Sequence, residues 1–115
     1  MICQSHFYCN KDNDIIDKCR LLPFITAKNS NIISLEKCKF AMPRSKKGTG
    51  RVALFRETPI ENIMCLETSN FGCLTKKYAN QYYNPGKLCE IGRDVCLGIL
   101  YFDYYRKNKA AFPLK

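Results

Sequence analysis

The spacing of apolar and polar positions predicts a chain of short elements broken by frequent turns. Two apolar runs, Phe40 to Met42 and Val52 to Phe55, flank a polar tip that holds Arg44, Lys46, Lys47, Gly48, Gly50 and Arg51. Glycine permits positive φ, Pro43 cannot continue a ladder, and clustered cations favour solvent, so this stretch predicts two antiparallel strands displaying a cationic loop. Ile32 to Met42 alternates well enough to predict a strand, and Arg51 to Glu57 predicts another between Gly50 and Pro59.

The remaining segments carry weaker periodicity. Asn13 or Asp14 supplies a helix N-cap, and Leu21 to Ile25 is apolar but broken by Pro23. Thr58-Pro59-Ile60-Glu61 has the form of a capping box, which predicts a short helical turn running into a strand over Ile63 to Glu67. Ser69 to Gly72 and Asn84-Pro85-Gly86 read as turns. From Lys87 to Lys109 the pattern divides. Leu88, Ile91 and Val95 form a helical stripe before Cys96, and the aromatic run after it favours strand.

Composition alters this picture mainly through cysteine. Eight cysteines stand in 115 residues, at Cys3, Cys9, Cys19, Cys38, Cys65, Cys73, Cys89 and Cys96. An even number in a small basic chain predicts four disulfides, with roughly 105 pairings open, each bridge stabilising by about 2–4 kcal/mol. No Cys-x-x-Cys knuckle occurs, and His6 is the one histidine, so a zinc framework is disfavoured and no metal or other cofactor is expected. The architecture expected is therefore one α+β domain over residues 1–115. It would be disulfide-rich and built mainly of antiparallel strands with one or two short helices, with a basic tail over about 106–115. Disulfides imply an oxidising compartment, hence secretion. The N-terminus lacks the cationic start and apolar core of a signal peptide, so this reading takes the chain as a mature form with Met1 added. No apolar run approaches the roughly 20 residues of a membrane span.

The net charge of +9 is unevenly distributed: residues 28–56 carry +7, residues 57–74 carry −3 and residues 75–115 carry +5. Such basic blocks steer a chain toward anionic partners. Three groups of candidate binding residues follow. The first is the loop of Arg44, Lys46, Lys47 and Arg51. The second sets Lys76 and Lys77 beside Tyr82 and Tyr83. The third sets Tyr104 and Tyr105 beside Arg106 and Lys107. Arginine chelates carboxylate and phosphate bidentately, and tyrosine contributes contact area at small entropic cost.

Catalytic signatures are sparse. One histidine excludes a two-histidine ribonuclease mechanism, no Gly-x-Ser-x-Gly elbow supports a triad, and Asp12, Asp14 and Asp17 lack the glycine and terminal glutamate of a calcium loop. Paired carboxylates among Glu36, Glu57, Glu61, Glu67 and Glu90 stay open. The function expected is thus a secreted, non-enzymatic protein that presents its cationic loop and tyrosines to an extracellular protein or a sulfated glycan, with nucleic acid a weaker fit. The alternatives are a disulfide-rich inhibitor or toxin and a small secreted hydrolase.

Overall fold

A computed structural model of the chain describes residues 2–5, 13–40, 44–46, 48–60, 62–69, 71–73 and 76–108. Its described residues form three α-helices and two small antiparallel sheets of two strands each. This overturns the expectation of a mainly β, disulfide-rich domain.

The first helix, α1, spans Asn13–Lys28, so Asn13 and Asp14, expected as its cap, are its first two residues. It continues through Pro23, although proline has no N–H for the carbonyl four residues back and its ring crowds that carbonyl. Packing against a later helix compensates: Ile25, Thr26 and Ala27 are all buried, and most helical stability in proteins comes from such contacts rather than from propensity. The helix ends where the Asn29 side chain donates to the Ile25 carbonyl at 2.8 Å. Ser30 then turns the chain. Its Oγ accepts from the N–H of Ile32 at 3.1 Å and of Ile33 at 2.9 Å.

That turn drives Ile32 and Ile33 side by side into the core, at 1% and 2% exposure, with Ser34 buried after them. A strand would send successive side chains to opposite faces. Here the Ser30 turn brings three neighbours into the core together, and the strand expected over residues 32–42 is replaced by a 3-10 turn at Leu35–Lys37. Residues 41–43 lie outside the described residues.

The cationic hairpin is also corrected. Arg44–Lys46 is a 3-10 turn, and Gly50–Glu57 is a helix, α2, where a strand was expected. Arg51, Val52 and Phe55 turn inward to differing degrees, and only Val52 is fully buried. Spacings of one and four residues belong to a helix, and Arg, Ala, Leu and Glu are good helix formers. Thr58 ends α2 in an extended conformation, its N–H and hydroxyl both donating to the Leu54 carbonyl, at 3.0 and 2.6 Å. The capping-box helix at Thr58 is therefore absent: Thr58 closes one helix instead of opening another. Glu61 lies outside the described residues.

Strand β1 (Ile2–Ser5) pairs antiparallel with β2 (Met64–Glu67), in register Ile2 to Glu67 and Ser5 to Met64. The strand expected over Ile63 to Glu67 thus forms. A second ribbon joins β3 (Gly72–Cys73) to β4 (Gln81–Tyr82). Here Gly72 has no substitute, because a Cβ would lie 2.9 Å from the Gln81 carbonyl carbon and 3.0 Å from Tyr82 Cα. Asn80 adopts φ 62° in the connecting turn, a left-handed conformation that asparagine tolerates.

The last helix, α3, runs without a break over Pro85–Lys107. Asn84 caps it by accepting from Lys87 N–H at 2.8 Å, and Pro85 occupies the first turn, so the expected turn is a helix start. The strand expected after Cys96 is helix. α1 lies along α3, with Thr26 and Gly98 in close approach. The central cluster of Ala27, Ile32, Ile33, Cys73 and Ile91 is flanked by Leu35, Tyr78, Tyr83 and Val95. No described helix is long and apolar enough to cross a membrane.

Candidate functional site

Two places on this scaffold gather chemistry. The first lies where β4 meets the start of α3. Tyr78 donates its hydroxyl to the Glu90 carboxylate at 3.2 Å. Lys87 extends its ammonium over the Tyr78 ring at 5.2 Å from the centroid and donates to Gln81 Oε1 at 2.8 Å and the Tyr82 carbonyl at 3.1 Å. Lys77 lies over the same ring at 5.5 Å. The arrangement ties the ribbon to the helix with charge-assisted bonds and cation–π contact.

The hydrogen bond to Glu90 raises the Tyr78 pKa above 10.0, reinforced by burial and by the negative charges of Glu90 and Asp94. A raised phenol pKa means the folded state holds its proton longer than the unfolded chain. The contribution to stability is then complete below pH 10 and is lost as pH rises through the folded pKa. Glu90→Gln is expected to move the Tyr78 titration back down toward 10, read from the tyrosinate absorbance against a Tyr78→Phe control. An unmoved titration would assign the shift to another group. Tyr83 is also raised, first by burial and then by the neighbouring Cys73 thiol.

The second place is an apolar cleft of about 360 Å³ between the two long helices and the β1–β2 ribbon. Leu22 and Pro23 of α1, Val95 and Ile99 of α3, and Met64 and Leu66 of β2 form its walls. Among the described residues that line it, Thr26 and Asn62 are the polar ones, and both are uncharged. The Thr26 hydroxyl donates to the Leu22 carbonyl at 2.8 Å. The Asn62 side-chain oxygen is buried and has no hydrogen-bond partner among the described residues.

The three binding groups read from the sequence are not brought together into this cleft. Arg44 is exposed on the 3-10 turn, whereas Arg51 sits half-buried in the first turn of α2 rather than at a loop tip. Lys47 and the side chain of Lys46 lie outside the described residues, as does the side chain of Lys76. Of the second group, Tyr82 is 79% exposed while Tyr83 packs against the core. In the third, Tyr104 is exposed, Tyr105 is half-buried, Arg106 lies over the Phe102 ring at 5.6 Å and Lys107 pairs with Asp103 at 2.6 Å. These last residues are helical rather than a loose tail; residues 109–115 lie outside the described residues.

The disulfide framework is overturned for every cysteine whose side chain is described. Cys38, Cys65, Cys73, Cys89 and Cys96 form no disulfide. Cys73 is buried and directs its thiol to the Ile32 carbonyl at 3.8 Å, and Cys38 directs its thiol to the Ser34 carbonyl at 3.5 Å. Cys89 and Cys96 stand seven residues apart on one helix, a rise of about 10 Å, whereas a disulfide brings Cα atoms to about 4.4–6.8 Å. Cys9 and His6, and the side chains of Cys3 and Cys19, lie outside the described residues. Among the described residues, no group of three or more His, Cys, Asp or Glu side chains is placed to hold a metal ion.

Sequence reasoning missed Glu90 as the partner of Tyr78 and Asn62 as the polar group of the cleft. The one signal for Asn62 was a lone amide entering the apolar run Ile63-Met64.

No protein-family model matches the chain, and no solved structure matches it. Curated relatives do. The chain is 32% identical over 81 residues, 70% of its length, to cytosolic carboxypeptidase 1 of Danio rerio. It is 31% identical over 89 residues, 77% of its length, to cytosolic carboxypeptidase 4 of Mus musculus. A longer alignment, covering 97% of the chain at 27% identity, joins it to cytosolic carboxypeptidase 3 of Bos taurus. The chain spans only 7%, 8% and 12% of these three relatives. Their names overturn the expectation of a secreted, non-enzymatic binder, and with it the inhibitor and toxin readings. Only the hydrolase part of the last alternative agrees with them, without its secretion.

Proposed function

We propose that this chain is a peptidase-related segment, corresponding to a small part of a cytosolic carboxypeptidase-type protein. The observation that supports this most directly is the likeness itself. It runs along 70–97% of the chain yet covers only 7–12% of the relatives. Removal of a C-terminal residue then belongs to the longer polypeptide. Hydrolysis of a peptide bond needs an activated water and a proton for the leaving amine, supplied by separately positioned groups. Within such a protein the α1–α3 pair would serve as a framework that holds β2 and the residues beside it in place.

A segment exchange tests the reading. The matching stretch of the Danio rerio relative is replaced by this chain, and release of free amino acids is followed from peptides with free or amidated C-termini. The expected result is release from the free-ended peptides within about tenfold of the parent, a loss of no more than about 1.4 kcal/mol in transition-state binding, and none from the amidated ones. A folded chimera that releases nothing would reject the assignment.

A further inference from the structure

The apolar cleft has a feature that its framework role leaves unexplained. Asn62 places a buried carbonyl oxygen beside walls that supply it no donor among the described residues. Buried acceptors in proteins are ordinarily satisfied, and each exception calls for a physical cause. The other polar side chain in the wall, Thr26, directs its hydroxyl proton to the Leu22 carbonyl. A water beside Asn62 would meet mostly carbon, whereas a well-held buried water needs two to four polar partners. An apolar cleft of about 360 Å³ with one or two convergent polar groups is instead the usual form of a small-ligand site.

We propose that this cleft binds a compact, uncharged, apolar ligand that carries a single N–H or O–H donor, with Asn62 Oδ1 as the acceptor. Neutrality follows from the lining. No charged side chain contributes to the walls among the described residues, so an ion entering there would lose its hydration without a partner from them. The apolar body is held by Leu22, Pro23, Met64, Leu66, Val95 and Ile99, and the donor fixes its orientation. The site is separate from the charged cluster at Tyr78 and stands on its geometry, independent of the peptidase assignment.

The test compares three probes of nearly equal shape on the full chain by ligand-observed NMR. 2-Naphthol carries a donor, 2-methoxynaphthalene keeps the oxygen without the donor, and naphthalene has neither. The expected result is that 2-naphthol binds about fivefold more tightly than the other two, the worth of one net hydrogen bond. In Asn62→Leu, which keeps the apolar volume, this preference disappears while naphthalene still binds. Equal affinities for the three probes in the wild-type chain would overturn the proposal, as would no binding of any. A preference for 2-naphthol that survives in folded Asn62→Leu would also overturn it. The wild-type comparison decides the donor requirement even where Asn62→Leu fails to fold, and Val95→Trp, which fills the cleft, is then expected to abolish binding of all three.

Discussion

Ile32→Ala is expected to cost about 2–5 kcal/mol of unfolding free energy, the range for truncating a fully buried aliphatic side chain where the walls cannot collapse. Ile32 is 1% exposed, the most enclosed large side chain described, and packs among Ala27, Ile33, Cys73 and Ile91. Two backbone bonds to Ser30 Oγ hold the Ile32–Ile33 turn, so the neighbours cannot slide easily into the vacated space. Against a total stability of about 5–15 kcal/mol for a typical domain, such a loss is severe. Urea denaturation should show a lower midpoint with an unchanged slope. A loss below about 1 kcal/mol would mean that this turn does not anchor the core.

Two glycines of α3 should respond in opposite directions to the same substitution. Gly98→Ala would place a methyl group against Thr26, 2.9 Å from its Cβ and 3.1 Å from its Cα, where backbone must shift to admit it. Overpacking of this kind costs about 1–3 kcal/mol, which exceeds the gain of at most about 1 kcal/mol from replacing glycine by alanine in a helix. Gly92 has nothing within 4 Å of its added Cβ, so Gly92→Ala should keep that gain and stabilise the chain. Thermal unfolding of the two variants side by side measures the difference. Pairing Gly98→Ala with Thr26→Ala should recover part of the loss, since contacting residues are coupled by about 0.5–3 kcal/mol. Stabilisation by Gly98→Ala would place the α1–α3 contact elsewhere.

These two predictions also show why the sequence was misread in part. The aromatic run after Cys96, with Gly98 in it, favoured a strand, yet Gly98 is where two helices approach closely. Pro23 looked like an end to α1, yet the helix continues because Ile25, Thr26 and Ala27 bury against the rest of the fold. In both cases local sequence was outweighed by packing between α1 and α3, which lie far apart in the chain.

Short-range chemistry was legible where it acts within a few residues. Ile63 to Glu67 predicts β2 nearly to the residue, and the turn at Ser69 to Gly72 closes through Ser69 Oγ, which accepts from the Gly72 N–H at 3.1 Å. Asn84-Pro85 announced a change of direction, correctly placed and wrongly named, because an N-cap followed by proline and a turn share the same residues. Cysteine number was the most misleading signal. It counts thiols but says nothing of distance, and the described thiols are spread over a 3-10 turn, two ribbons and one helix.

What the sequence alone determined was the charge imbalance, the turn at Ser69 to Gly72, and the strand that became β2, since each depends on residues a few positions apart. The tertiary structure decided the rest. It made Arg51 to Glu57 a helix, because burial of Val52 with Arg51 and Phe55 beside it needs helical rather than alternating spacing. It carried α3 through to Lys107, because α1 covers one of its sides. It also assembled the cleft from α1, β2 and α3, whose residues meet only when the chain has folded and which leave the Asn62 side-chain oxygen without a hydrogen-bond partner among the described residues.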